Sequence, residues 1–291
     1  MTWTAAFQPV PLYVALILAS MAVVAAIEAA IPLHARGRWH RVHLGPNLVL
    51  TFLTFATNSL LNAALVMTLM WLDANGSGLL RTLSLPPLAV GALAVVLLDF
   101  SFYVAHVAMH KIPWFWRFHC VHHSDPAVDV TTTIRQHPGE SLIRYAFLGV
   151  FAIALGVGPV AFGVYRVWSA LNGLLEHANL RVPRRLDHLL SLVTTWPHMH
   201  KVHHSRAAQE TDTNYSNIFS LWDRLFLTFT PSVRGEAIDY GLEGFDDPAA
   251  QTTAGLLAMP FRVRGASPVS VPDASPVSAI DARHCRTQDW H

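Results

Sequence analysis

Seventeen histidines stand in a chain of 291 residues, nearly as many as the 20 Lys and Arg together, and their spacing is that of metal ligands. His106 and His110 are four apart, so a helix places both rings on one face, one turn from each other. Then comes His119-Cys120-Val121-His122-His123, and the same His-x-x-His-His pattern returns as His200-Lys201-Val202-His203-His204. Positions i, i+3 and i+4 of a helix fall within one arc, so each triplet is expected to present three imidazoles to a common centre. One such pair or triplet alone reads as an interfacial or solvated histidine face; two identical triplets beside a pair read as a metal site. One zinc or iron ion takes roughly three or four protein nitrogens, fewer than the three clusters supply, so two metals are expected. Imidazole suits iron, copper and zinc alike and does not choose among them.

Two further histidines are candidates to complete the site. His177 follows Glu176 at the end of an apolar region and is spaced to join as a ligand. His137, in Gln136-His137-Pro138-Gly139-Glu140, is either a ligand or the holder of the turn that Pro138 initiates. Asp99 lies two helical turns before His106 on the same face. It can orient a ligand histidine through the ring nitrogen that binds no metal, or serve as a polar contact between helices. Cys120 reads as a spacer within its triplet. His198 lies outside the repeated pattern, His34, His40 and His43 are expected among lipid headgroups, and His188 is expected at the surface. Glu28 has no alignment with the clusters and is left unassigned.

These side chains need elements to hold them, and composition says what kind. The chain is 52% hydrophobic and only 13% charged, against roughly 25% charged in soluble domains. Runs long enough to cross a bilayer span Pro11 to Leu33, Leu48 to Leu72 and Pro87 to Ala105. A fourth region, Tyr145 to Leu175, is broken at Gly156-Val157-Gly158-Pro159 and is either one tilted span or a re-entrant hairpin. No Lys or Arg precedes the first run, so nothing there reads as a cleavable signal. Arg36, Arg38 and Arg41 sit between the first two runs, Arg81 alone between the next two, and every other Lys and Arg follows His106. That distribution places the amino terminus outside and every histidine cluster on the cytoplasmic face. The expected fold is therefore an all-α membrane bundle of about four spans, or three and a hairpin, under a cytoplasmic helical histidine-rich cap. Its divisions are expected at 1–96 for the amino-terminal spans, 97–230 for the catalytic part, 231–264 for a peripheral segment and 265–291 for a disordered tail rich in Pro, Ser, Ala and Val. A net charge of +1 supplies no field that would attract nucleic acid. Two cysteines, Cys120 and Cys285, form no disulfide framework.

The clusters also resemble a known family. His106-x-x-x-His110, the two triplets, Arg135-Gln-His-Pro-Gly-Glu140, Glu176-His-Ala-Asn179, and Asn214-Tyr-Ser-Asn followed by Trp222-Asp-Arg-Leu-Phe226 are similar to the motifs of the fatty acid hydroxylase and sterol desaturase superfamily of integral membrane proteins, from about Leu97 to Thr230. The resemblance implies two iron ions, replaceable by zinc in purified protein, that use O2 and two electrons to hydroxylate or desaturate sterols, fatty acids, ether lipids or carotenoids. It carries over the eight box histidines as ligands, with His177 and His137 as completions. Ser216 and Leu227 stand where the family usually has Gly, which implies altered packing there more than altered chemistry. A C–H bond in a lipid tail offers no handle for acid or base, so metal and oxygen chemistry is what such a substrate needs. Trp114, Phe115, Trp116 and Phe118 are expected to line the substrate entrance or to form an interfacial belt. No cytochrome or ferredoxin-like cysteine motif is present, so electrons are expected from a separate partner protein. A histidine-rich metal-binding or transport protein is the competing reading, but the span from Leu48 to Leu72 offers only Thr, Ser and Asn to a passing ion.

Overall fold

A computed structural model describes residues 10–35, 37–231 and 238–263; Cys285 and the tail expected from 265 lie outside them. Among the described residues the chain is helical, with only isolated bridges such as Pro32 to Leu180 in place of strands. The long helices are α1 (Val10–Ala30), α2 (Arg38–Ala74), α3 (Pro87–Lys111), α4 (Pro113–His123), α5 (Pro138–Leu155) and α6 (Pro159–His177). Shorter ones follow as α7 (Arg184–Ser191), α8 (Pro197–His203), α9 (Ala208–Thr211), α10 (Leu221–Leu225) and α11 (Thr253–Arg262). Proline opens α3, α4, α5, α6 and α8, where its fixed φ suits the first turn and its missing N–H costs nothing.

Four of these helices are long and apolar enough to cross a membrane, within Pro11–Ala30, His40–Thr82, Pro87–Lys111 and Pro138–Leu155. This is an integral membrane protein. The fourth apolar region resolves into a hairpin. Helix α5 stops at Gly156, whose φ of 64° is left-handed, and the Val157 N–H closes the turn on the Ala152 carbonyl at 3.0 Å. The tip meets the connection between α2 and α3 so closely that a Cβ on Gly78 would lie 2.2 Å from the Gly156 Cα. Both arms of the hairpin thus run the depth of α2 and α3. Leu65 and Leu69 of α2, Leu98 of α3, Leu148 and Ala152 of α5, and Phe162 and Tyr165 of α6 make the core between them. The outward faces stay apolar: Leu88 is 86% and Val160 82% exposed, a surface suited to lipid and costly in water.

At the histidine end a buried polar network ties the helices together. Arg135 is fully enclosed and donates to the Val121 carbonyl, Asn47 Oδ1, Ser124 Oγ and Gln251 Oε1 at 2.7–2.9 Å. Asp125 accepts from His43, Asn47 and Thr132. Surrounded by His43 and Arg135, its carboxyl is held well below the ordinary carboxylate range. Glu28 of α1 takes the backbone N–H groups of Val130 and Asn179 at 2.8 and 2.7 Å.

The segment expected among headgroups is corrected here. Helix α2 begins at Arg38, ten residues before the apolar run starts at Leu48. His43 is consequently buried, 2.8 Å from Asp125 Oδ1 and 3.3 Å from Asp129 Oδ2, while His40 lies 3.1 Å from Asp129. His34 meets the Tyr240 hydroxyl at 3.1 Å. Exposed His188 is at the surface as expected.

Candidate metal centre

Nine histidines from α3, α4, α6 and α8 converge as two adjoining groups. His106, His110, His119, His123 and His203 form the first; His122, His177, His200 and His204 form the second. Within each, one ring nitrogen per residue lies within 4.8 Å of all the others. The expectation that each triplet serves one centre is corrected. The first and third histidines of a triplet, i and i+4, share a face and a group: His119 with His123, and His200 with His204. The middle one crosses over, His122 to the second group and His203 to the first. The two triplets therefore exchange a histidine, and the groups meet where His123 and His204 stack with centroids 4.6 Å apart.

The spacing fits an ion at each centre. In the second group the Nε2 atoms of His122 and His177, His177 and His200, and His200 and His204 are 3.1, 3.0 and 3.2 Å apart. In the first group the pairs His106–His119 and His119–His123 stand at 3.1 and 3.2 Å. Four nitrogens at the zinc or iron distance of about 2.0 Å have mutual separations of roughly 3.3 Å. Burial holds His122, His123, His200 and His204 below the ordinary histidine range and pushes His203 down to about 3. A neutral imidazole with a bare nitrogen turned inward is the metal-binding form.

Outward-facing ring nitrogens are anchored to the surrounding chain. His106 Nδ1 donates to the Tyr215 carbonyl at 2.7 Å, His203 Nδ1 to the Thr213 carbonyl at 2.7 Å, and His177 Nδ1 to the Gly173 carbonyl at 2.8 Å. Each bond fixes the tautomer that leaves Nε2 bare. A carboxylate does the same for His110, 3.3 Å from Asp212 Oδ1, while Glu140 Oε1 stands 3.2 Å from His119 Nδ1 without a hydrogen bond between them. Glu176 stands farther off, 3.8 Å from His177 Nδ1 and 3.9 Å from His200 Nε2.

Both groups border a cavity of about 510 Å³ enclosed by α1, α2, α3, α5 and α6. His106, His119, His122, His177 and His200 form its metal end, and Ile17, Phe55, Leu148 and Phe162 belong to its apolar wall.

Residues 91–228 match the fatty acid hydroxylase family, a stretch that holds all nine convergent histidines. Over that stretch the chain is similar to proteins of the fatty acid hydroxylase and sterol desaturase superfamily. It is 33% identical over 173 residues to ornithine lipid hydroxylase OlsE of Rhizobium tropici, covering 60% of this chain and 50% of that one. Alkylglycerol monooxygenase of Caenorhabditis elegans is 32% identical over 148 residues, 50% of this chain and 28% of its own. A cholesterol 25-hydroxylase-like protein of Danio rerio is 31% identical over 140 residues, 47% and 54% respectively. The chain spans about half or less of these relatives' lengths. No solved structure matches it significantly.

One departure from the superfamily pattern has a visible cost. Leu227 adopts a φ of 59°, a left-handed conformation that glycine takes freely and leucine does not. Its side chain escapes a clash by pointing outward, 90% exposed. Ser216 has no such strain; its N–H and Oγ both engage Asp223.

Other candidates land elsewhere. His137 belongs to neither histidine group; its Nδ1 accepts the Gly139 N–H at 2.9 Å and caps α5. Asp99 orients no histidine. Its carboxylate accepts the N–H groups of Ile218 and Phe219 and the Trp222 indole at 2.9–3.1 Å, pinning the α10 segment onto α3. Cys120 turns its thiol to the Arg117 carbonyl, and His198 lies 3.6 Å from Asp187. None of Trp114, Phe115, Trp116 and Phe118 lines the cavity: Trp116 is buried against His110 and His123, Phe118 packs on His137, and Trp114 is 56% exposed. The supporting groups Asp212, Glu140, Tyr215, Thr213 and Gly173 escape a search for ligand spacing. Glu140 and Tyr215 carried a signal, as the acid closing Gln-His-Pro-Gly-Glu and the tyrosine of Asn214-Tyr-Ser-Asn.

Proposed function

We propose that the chain is a membrane-bound non-haem di-iron oxygenase that hydroxylates or desaturates a lipid-like molecule with O2. The observation that carries the reading is the meeting of two buried histidine groups with an apolar cavity inside the membrane bundle. Two irons, when bound, supply the oxygen and electron chemistry that an unactivated C–H bond demands. In hydroxylation one oxygen atom enters the C–H bond, the other leaves as water, and two electrons and two protons are consumed. Zinc can occupy the same nitrogens but has no redox chemistry.

His106, His110, His119, His123 and His203 would hold one iron, and His122, His177, His200 and His204 the other. The surrounding chain keeps their rings aimed, through the carbonyls of Tyr215, Thr213 and Gly173 and the carboxylate of Asp212. The cavity keeps water from a lipid chain while its wall presents that chain to the histidine end. Electrons would come from a separate donor protein meeting the cap. The names of the relatives, which include an ornithine lipid hydroxylase and an alkylglycerol monooxygenase, support a lipid substrate. The Lys and Arg distribution supports an outside amino terminus and a cytoplasmic cap.

Elemental analysis of protein purified in mild detergent tests the reading, beside a variant with His122, His123, His203 and His204 changed to Ala. Two irons per chain are expected in the wild type and none in the variant, with lipid oxidation in the former once O2 and a reductant are supplied. Well-folded wild-type protein without metal would sink the proposal.

A further inference from the structure

The cavity contains more charge than an alkyl chain needs. Arg144 of α5 and Arg166 of α6 both line it. Arg144 has a carboxylate nearby, Glu140 Oε1 at 3.6 Å, and lies over the Phe102 ring at 4.5 Å. Arg166 pairs with no carboxylate among the described residues. Its neighbours are the Tyr145 ring, 5.2 Å away, and the hydrogen-bonded side chain of Tyr13. A guanidinium stays charged at any accessible pH. Enclosing one among membrane helices without a counter-charge is costly, and such residues mark substrate paths.

Its position relative to the metal ligands is informative. Arg166 precedes His177 by eleven residues on α6, close to three full turns, so both project from one face about 16 Å apart along the axis. Between them on that face come Ala170 and Gly173, and both also line the cavity. A charged anchor, two small residues and a metal-group histidine thus form a slot along a single helix. The cavity continues past Arg166 to Phe162 and Pro159 of the same helix, so the cation stands in its wall and not at its end.

We propose that Arg166 binds the carboxylate of a long-chain amphiphile. Its chain would run along the Ala170 and Gly173 face and bring a carbon remote from the acid to the histidine groups. The planar guanidinium matches a carboxylate's two oxygens, and a single unpaired cation balances one negative charge rather than the two of a phosphate monoester. The inference rests on the lipid-oxygenase reading and narrows it to acid-bearing lipids oxidised far from the acid.

Isothermal titration of the full chain in neutral detergent, without reductant so that nothing turns over, tests it with palmitate, methyl palmitate and hexadecyl phosphate. Wild type should bind palmitate about tenfold more tightly than the ester, the scale of a charge-assisted pair. That preference should vanish in Arg166→Gln and persist in Arg166→Lys, with metal content unchanged in both. Equal affinity for acid and ester in wild type overturns the site without recourse to any variant. So does a preference for the phosphate, or an acid preference that survives in Arg166→Gln. Metal analysis on the same samples separates the two proposals. Absent metal with the palmitate preference intact removes the oxygenase reading alone, and two metals with no preference removes the anchor alone.

Discussion

The two histidine groups use the same ligand and differ in what stands behind it. In the first, three of five rings lean on an acceptor: His106 on the Tyr215 carbonyl, His203 on that of Thr213 and His110 on Asp212, while Glu140 stands 3.2 Å from His119 without a hydrogen bond. In the second, only His177 does, through the Gly173 carbonyl, while the outer nitrogens of His122, His200 and His204 are buried without a partner. Glu176 lies beside this group but beyond hydrogen-bond reach. An acceptor behind a ring fixes its tautomer, restrains its rotation and raises its basicity. The same nine imidazoles should therefore make one tight metal site and one looser one, with Glu176 close enough to the looser one to respond to what binds there.

The largest effects should come from removing a ligand on either side. His110→Ala and His200→Ala are each expected to lower metal content from two per chain to one. Each should cut lipid oxidation by more than the roughly 100-fold that a change behind a ligand costs. Loss of both ions from one substitution would show that the two sites fill as a unit. Next in size is the asymmetry itself. Stepwise chelation of wild type should release one ion first, and in His200→Ala the ion that remains should be the resistant one. Release of both at a single chelator concentration would remove the distinction between the groups.

Behind the ligands, Asp212→Asn should weaken the first site about 10- to 100-fold, bringing it toward the second, and Glu140→Gln, which breaks no hydrogen bond to His119, should weaken it by less. Metal titration followed by elemental analysis reads this directly. Glu176→Gln should change the second site by less, because no ring nitrogen is within hydrogen-bond distance of its carboxylate. A loss equal to that in Asp212→Asn would make Glu176 a functional part of the second site.

All nine convergent histidines were visible as spacing, because a metal ligand set is a local pattern on helix faces. The exchange of His122 and His203 was not. Rings at i+3 and i+4 diverge slightly, and only the facing triplet decides which centre each one meets. Three of the supporting acceptors are backbone carbonyls, of Tyr215, Thr213 and Gly173, and carry no side-chain signature. His43 was misread because three arginines around it look like a headgroup loop; its partners Asp125 and Asp129 lie some 80 residues away and appear only once α2 is extended back to Arg38. Asp99 was legible as a buried carboxylate, but the donors that claim it, on residues 218, 219 and 222, come from a segment more than a hundred residues downstream. Arg166 was passed over inside an apolar stretch that hydropathy averages into a span.

The smallest effect tests the boundary of the site. His137 stands in the same sequence neighbourhood as Glu140, yet its ring engages the start of its own helix and the backbone of Leu257 in α11. Nδ1 accepts the Gly139 N–H, one of the donors that the first turn of α5 leaves without an intrahelical partner. His137→Ala should thus cost about 1 kcal/mol of stability, the usual value of a lost cap. Metal content should stay at two per chain. His137→Asn should recover most of the loss, since asparagine caps as well as any residue and its amide is a poor substitute for an imidazole at a metal. Thermal unfolding in detergent with parallel metal analysis distinguishes the roles. A lowered melting temperature with full metal, rescued by Asn, is the signature of a cap. Loss of an ion that Asn does not restore would move His137 into the ligand set and enlarge one of the two groups.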